Sequence, residues 1–395
     1  MKKKIAAFFG IIALAALLTS CVTTLTVKHL IPGEVDLSNY RTIAVASTGT
    51  YKFSPDFSLT SWVRGSADNL YTLTSGYHSD LSEKVAAMAT NDLVSSLGET
   101  GYFTILNPKI TDAYIAIGQG GDDAISLLKA KGVNAILTSS ISYMDCQENI
   151  YSRDVSKWVT EVDPNDATKM VSHERIVERH YYLRQDATVT FSLTLMDINT
   201  KQIVVARSYT SKNSDDTLIG RRIYVDNPAK SNSPSYSDER SYSYGFAPSF
   251  VPLFDKMLSS FQSGIKTLMA PSLEVSYLTL MSNKPKNNFA KNGYKLVESG
   301  SLQAAYGLFL NLWDQDRHVP SGYNGALVLE ALGNLHDSID LMQEVYDYSH
   351  NQDCYTQLVR MKTALAQQGQ AEKQISGDSS SQDTYITKTQ LITME

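Results

Sequence analysis

Cysteine is scarce in this chain: three in 395 residues, at Cys21, Cys146 and Cys354. That scarcity excludes a disulfide-stapled scaffold and a cysteine-rich metal domain. Basic residues are not in excess either. Thirty-five Lys and Arg stand against 41 Asp and Glu, a net charge of −6. Nucleic-acid binding and polybasic docking on anionic lipid both need clustered cations, so neither is expected. After residue 21 no stretch approaches the ~20 apolar residues of a membrane-spanning helix. Catalytic signatures are missing too. There is no His-Glu-x-x-His, no Cys-x-x-Cys, no Gly-x-Ser-x-Gly elbow and no Walker loop. His173 and His180 are seven apart on one predicted strand and so point to opposite faces, which denies them a shared metal. No enzyme activity, cofactor, metal site or small-molecule substrate is expected.

What the chain does have begins at its start. Met1-Lys2-Lys3-Lys4 is a positive lead, Ile5 to Leu18 is an unbroken run of apolar and small residues, and Leu18-Thr19-Ser20-Cys21 closes it. This is the grammar of a secretory signal, too short for a permanent span. Its ending resembles the lipobox of bacterial lipoproteins, in which the cysteine thiolate takes the diacylglyceryl group and becomes the new N-terminus. The resemblance implies a signal peptide over 1–20, lipidation of Cys21 and a lipidated tether over 21–34. Val22 is not the Asp that retains many lipoproteins in the inner membrane, so family habit favours the outer membrane, facing either way. With Cys21 acylated, the spacing leaves a Cys146–Cys354 disulfide open, and buried free thiols are the simpler expectation.

Beyond the tether, Arg41 to Ser47 reads as a buried strand, and the Ser-, Tyr- and Thr-rich 51–77 as a loop. Leu81, Val85, Met88, Ala89, Leu93 and Leu97 form the stripe of an amphipathic helix that ends near Gly98 and Gly101. Tyr102 to Leu106 reads as a strand, Asp122 to Lys131 as a helix and Val133 to Tyr143 as a strand. The glycine-rich Gly118 to Gly121 reads as a flexible strand-to-helix connection, because the spacing of a phosphate fingerprint fails. Asp122-Asp123 and Asp215-Asp216 read as capping or solvated acidic pairs. Strands over 157–162 and 170–177 flank the turn Asp163-Pro164-Asn165-Asp166. Val189, Phe191, Leu193 and Leu195 alternate with Thr188, Thr190, Ser192 and Thr194, and a hairpin partner follows over 202–209. Residues 211–247 read as a long loop, whose Tyr236, Tyr242 and Tyr244 suit a contact patch or an ordinary surface alike. Phe250 to Met269 reads as a closing helix. The order predicts an α/β domain over 35–270.

Four segments, in order, resemble the curli-secretion lipoprotein (CsgG) and TolB N-terminal family. They are Tyr40-Arg41-Thr42-Ile43-Ala44-Val45, the step from Leu93 through Gly101 to Leu106, Gly132-Val133-Asn134-Ala135-Ile136-Leu137, and Leu195-Met196-Asp197-Ile198-Asn199-Thr200-Lys201-Gln202-Ile203. The resemblance implies a mixed sheet flanked by helices, an α+β arrangement. In the channel-forming relatives the hairpins after the third strand line an outer-membrane barrel. Here both faces of the 150–182 hairpin mix charged and apolar residues, and charges at mid-membrane cost about 2–4 kcal/mol each. The hairpin is therefore expected to be soluble.

From about 285 the pattern changes again. Gly300 and Gly333 stand 33 apart, as do Ala305 and Ser338, Phe309 and Met342, and Leu312 and Val345. This resembles the tetratricopeptide (TPR) signature, which implies helix pairs over 285–368 that bury their faces by stacking. Residues 351–368 suit a capping helix, and 369–395 a disordered tail. A concave groove between such helices would bind a partner through Tyr294, Phe309, Trp313, Tyr323 and Leu329. The reading is a membrane-anchored, non-enzymatic lipoprotein that meets envelope proteins or itself. The alternative is a ring-forming secretion-channel subunit.

Overall fold

In a computed structural model the chain forms two compact units, residues 39–268 and residues 1–38 with 269–395. The structure describes residues 23–65, 71–76, 80–163, 165–226, 240–241 and 245–377. Cys21, the signal over 1–20, and Tyr236, Tyr242 and Tyr244 lie outside them. The protein is mixed α/β, as expected.

Unit 39–268 is built on β2 (Thr42–Val45), which follows β1 (Thr24–Ile31) of the other unit. Next come β3 (Leu59–Gly65), β4 (Tyr71–Gly76), α1 (Leu81–Glu99), β5 (Thr104–Leu106), α2 (Pro108–Ile117) and α3 (Asp122–Lys129). Three long strands follow, β6 (Ala135–Asp163), β7 (Asp166–Asp197) and β8 (Ile203–Asp226), then the short β9 (Arg240–Ser241) and β10 (Gly245–Phe246), and α4 (Val251–Met269). The main sheet has the order β5-β2-β6-β7-β8-β9, and a second sheet the order β10-β3-β4. Strand β2 is parallel to β5 and β6, whereas β6, β7, β8 and β9 are antiparallel.

Helices cover both faces of the sheet's base, as a buried parallel core requires. On one face Ala44, Ile136 and Ile198 meet Leu128 of α3 and Tyr114 of α2. On the other, the alternating Val189, Phe191, Leu193 and Leu195 are buried. There the Phe191 ring stacks 6.5 Å from Phe261 of α4, and Tyr209 lies 5.6 Å from the same ring. The segments that carried the family resemblance meet at β2. The Thr42 and Asn134 backbones and side chain bond each other (Thr42 N to Asn134 Oδ1, 3.0 Å; Asn134 N to Thr42 O, 2.7 Å). Arg41 donates to Tyr102 O at 3.0 Å, and the Tyr40 hydroxyl donates to Asp197 Oδ2 at 2.9 Å. Asp197 Oδ1 accepts from the Asn199 and Thr200 amides, an Asx turn that fixes the 199–201 hairpin.

The second unit pairs β1 with β11 (Ser272–Thr279) antiparallel, from Thr24 opposite Thr279 to Ile31 opposite Ser272. Behind this ribbon stand α5 (Ala290–Glu298), α6 (Leu302–Asp316), α7 (Val319–Ala331), α8 (Leu335–Ser349) and α9 (Gln352–Ser376). The 33-residue repeat appears in the geometry itself. Helix α6 starts at 302 and α8 at 335; Arg317 and His350 both end their helices in the left-handed region; Gly300 and Gly333 both have positive φ. Ala305 and Ser338, and Phe309 and Met342, are fully buried. Two helix hairpins in register, with α9 packed on the second, make one core.

Several expectations are corrected. Residues 24–31 of the expected tether are a strand, because Leu25, Val27 and His29 alternate inward against the helices. Strands β3 and β4 lie within the expected 51–77 loop, and β8 runs to Asp226 through the first part of the expected 211–247 loop. The strands expected over 133–143 and 157–162 are one strand, as are those over 170–177 and 187–198. Helix α2 precedes the glycine turn, which therefore joins two helices. A Cβ on Gly118 would lie 2.1 Å from Ala124 N, so close backbone approach explains that glycine. Residues 369–376 of the expected tail continue α9, and 378–395 lie outside the described residues.

Candidate interaction interface

The five residues assigned to a partner groove do not line one. Phe309 and Trp313 are fully buried and Tyr323 and Leu329 nearly so, while Tyr294 is partly buried against the same core. The reason is close helix packing. Gly293 lets α5 approach the Phe309 ring, and Gly322 lets α7 approach Trp313 and Val345. Tyr294 donates to Met281 O at 2.5 Å, and Asn324 bonds both Met281 and that hydroxyl. Burial pushes the Tyr323 hydroxyl up to about 12, so it stays protonated. These side chains hold the unit together and are closed to a partner.

Unit 39–268 offers a crevice of about 570 Å³ at the carboxyl ends of β2 and β5, where open α/β sheets place ligands. Thr48, Thr90, Glu83, Asn107 and Lys109 line it. Its deepest polar groups satisfy one another: Thr48 N donates to Thr90 Oγ1 at 2.9 Å, and the Thr48 hydroxyl lies 2.8 Å from Ser139 Oγ. Asn107 caps α2 by accepting from Lys109 N. A nucleophile–base pair is not assembled there. Across the glycine turn, the first turn of α3 carries Asp122 and Asp123, which repel an anion, and Asp122 pairs with Lys201 at 2.6 Å. Among the described residues no group of three or more His, Cys, Asp and Glu could hold a metal. Cys146 and Cys354 are both free. Burial, with Asp145 and Glu148 adding repulsion, pushes the Cys146 thiol up to about 12, and burial raises Cys354.

The longest strands belong to the ribbon of β6, β7 and β8, of 29, 32 and 24 residues. At ~3.3 Å per residue the longer two exceed 90 Å, far beyond the core at their base. Beyond Ser140, β6 pairs with β7 alone among the described strands. Tyr151 through Val155 are all exposed, so both faces of this edge strand meet solvent. Trp158 is 63% exposed, and Leu218 on β8 is also exposed. Arg179 grips Asp154 through two bonds of 2.7 and 2.9 Å, which ties β7 to the edge. A long edge strand is a template for another strand unless it is covered or blunted. Sequence reasoning missed this continuity, since a strand exposed on both faces shows no alternation.

No protein-family model matches the chain, and no curated protein matches it. Among solved structures it is similar to a PelC dodecamer from Paraburkholderia phytofirmans, 12% identical, over 62% of this chain and 97% of that one, at a TM-score of 0.22. A variant PelC dodecamer from the same organism is 11% identical, with 62% and 99% covered and a TM-score of 0.22. Likenesses this low carry no argument about fold or function. Among the described residues no helix is long and apolar enough to cross a membrane.

Proposed function

We propose that this protein is a non-enzymatic lipoprotein of the bacterial cell envelope, held to the outer membrane through Cys21, and that it works as an assembly module by self-association. The observation that carries the reading is the β6–β8 ribbon, whose edge strand is exposed on both faces from Tyr151 to Val155. Past the small cluster around Leu183 and Ile219, the edge strand from Tyr151 to Val155 gains no apolar cover, and an isolated hairpin is marginal in water. Pairing with the same ribbon of a second copy would cover the edge and satisfy its backbone groups. Lipidation would raise the local concentration of copies by confining them to a surface, which strengthens a weak edge contact.

The test is size-exclusion chromatography with light scattering on the mature chain carrying Cys21→Ser. The expected result is an oligomer that Val155→Lys with Trp158→Lys converts to a monomer while circular dichroism is unchanged, because an edge lysine opposes strand addition. A monomer at every concentration would overturn the reading. The ring-forming secretion-channel subunit is the second reading, favoured by the length of the β6–β7 hairpin. It expects conductance in planar bilayers, which the assembly module does not.

A further inference from the structure

The two-stranded sheet β1–β11 sorts its side chains into two sets. Leu25, Val27 and His29 of β1, with Leu278 of β11, face the helical core and are buried. The opposite face carries Thr24, Thr26, Lys28 and Leu30 from β1, opposite Thr279, Tyr277, Val275 and Leu273 from β11. Leu273 is 67% exposed, Val275 46% and Tyr277 75%. Three large apolar or amphipathic side chains thus lie in a row on one strand, with Leu30 beside Leu273. The only charge on this face is Lys28, and no carboxylate lies on it; Glu274 belongs to the other face.

The chain says what lies nearby. Thr24 is three residues after Cys21, and three extended residues span at most ~11 Å. An acyl group on Cys21 would therefore hold the start of β1 within that distance of the headgroups. A face of Leu, Val and Tyr with one Lys has the composition of the membrane interface: tyrosine sits at headgroup level, aliphatic side chains reach the acyl boundary, and lysine extends towards phosphate. We infer that this outward face of β1–β11 docks on the lipid surface as a second, non-covalent anchor, which fixes how the helical unit stands on the membrane. The attraction is apolar, aided by a cation and by the lack of repelling carboxylates, so it does not need a polybasic patch. The inference rests on the lipidation proposed above for the distance, but the surface chemistry belongs to the sheet alone.

The experiment is flotation of the full mature chain carrying Cys21→Ser with vesicles of phosphatidylethanolamine and phosphatidylglycerol. The Cys21→Ser parent is expected to float, and L273S/V275S/Y277S to lose at least about tenfold in partitioning, since binding scales with buried apolar area. All three residues are exposed, so the variant keeps its fold, checked by circular dichroism. Tyr277→Trp preserves the face, and its emission should shift to the blue on adding the same vesicles. The inference is overturned if the parent stays with the soluble fraction or if the triple variant floats equally well. It is also overturned if light scattering shows a dimer that the triple variant alone dissolves, for the face would then belong to a second copy. Lipidation is read separately, by the mass of the native N-terminal peptide. A bare Cys21 there would remove the tether and leave the flotation result standing.

Discussion

Glu330 is the most constrained charged side chain described in the protein. Its carboxylate is fully buried on α7, accepts two bonds from Arg360 of α9 and lies 2.7 Å from His29 Nε2 of β1. Burial alone would raise its pKa, but the bonds from His29 and Arg360 outweigh it and hold the carboxyl below the usual glutamate range. A depressed folded-state pKa gives stabilisation that is complete above the unfolded-chain value and is lost as pH falls towards the folded one. The stability of the helical unit should therefore fall below about pH 4.5, and Glu330→Gln should flatten that dependence in urea melts across pH. Glu330→Ala leaves the Arg360 guanidinium without its carboxylate and His29 without its partner, and about 3–5 kcal/mol of stability should go with them. Asp92 on α1 behaves in the opposite sense. Burial first, and then Asp255 on α4, raise its pKa against a bond from Gln262, and its Oδ2 has no hydrogen-bond partner. The folded state then prefers the protonated acid, so stability falls as pH rises through the window above the ordinary aspartate value. Asp92→Asn should raise the melting temperature at pH 7, with the gain vanishing near pH 3.

At the scale of elements, two glycines in neighbouring helices make opposite predictions. A Cβ at Gly322 of α7 would stand 2.5 Å from Val345 Cγ2 and 2.9 Å from the Trp313 ring. Val345 and Trp313 are both fully buried and cannot withdraw cheaply. Gly322→Ala should cost about 1–3 kcal/mol through overpacking, in spite of alanine's better helix propensity. Gly307 of α6 is exposed and would meet nothing within 4 Å. Gly307→Ala should stabilise by about 0.5–1 kcal/mol, and urea melts of the two variants run side by side would check both. The contrast locates the repeat's packing face, since the close approach falls where α6, α7 and α8 meet.

Taken whole, the molecule is discontinuous in sequence: the unit containing β1 is completed by residues from 269 onward, and 39–268 lies between. Strand β1 supplies Leu25 and Val27 to the helical core, and His29 to Glu330. Gly33 adds a backbone clasp, its N–H donating to Gln374 Oε1 at 2.8 Å. Burying a Val or Leu side chain contributes roughly 1.5–3 kcal/mol. Deleting residues 23–33 should thus destabilise the helical unit by several kcal/mol, seen as faster hydrogen exchange in α7 and α9. Unchanged exchange would mean that the strand merely rests on the helices. A segment that reads as a passive leash is in this way part of a core, which leaves two residues between Cys21 and the first strand.

Local grammar in the chain determined much of this. The 3.6-residue stripe of α1, the alternation from Val189 to Leu195 and the 33-residue helix period all survive in three dimensions, because each is a covalent spacing that decides which side of an element is apolar. Asn107-Pro108, a cap followed by proline at the first helical position, would also have disclosed α2. Three matters needed the tertiary structure. The partner of β1 is β11, some 240 residues away, and no periodicity names a partner. The length of β6 is set by pairing with β7, since a strand wet on both faces has no pattern of its own. Whether Phe309 and Trp313 would greet a visitor or fill a core was decided by Gly293 and Gly322, which draw the helices together; an aromatic at helical spacing looks the same in either role, and only the neighbour across the gap distinguishes them.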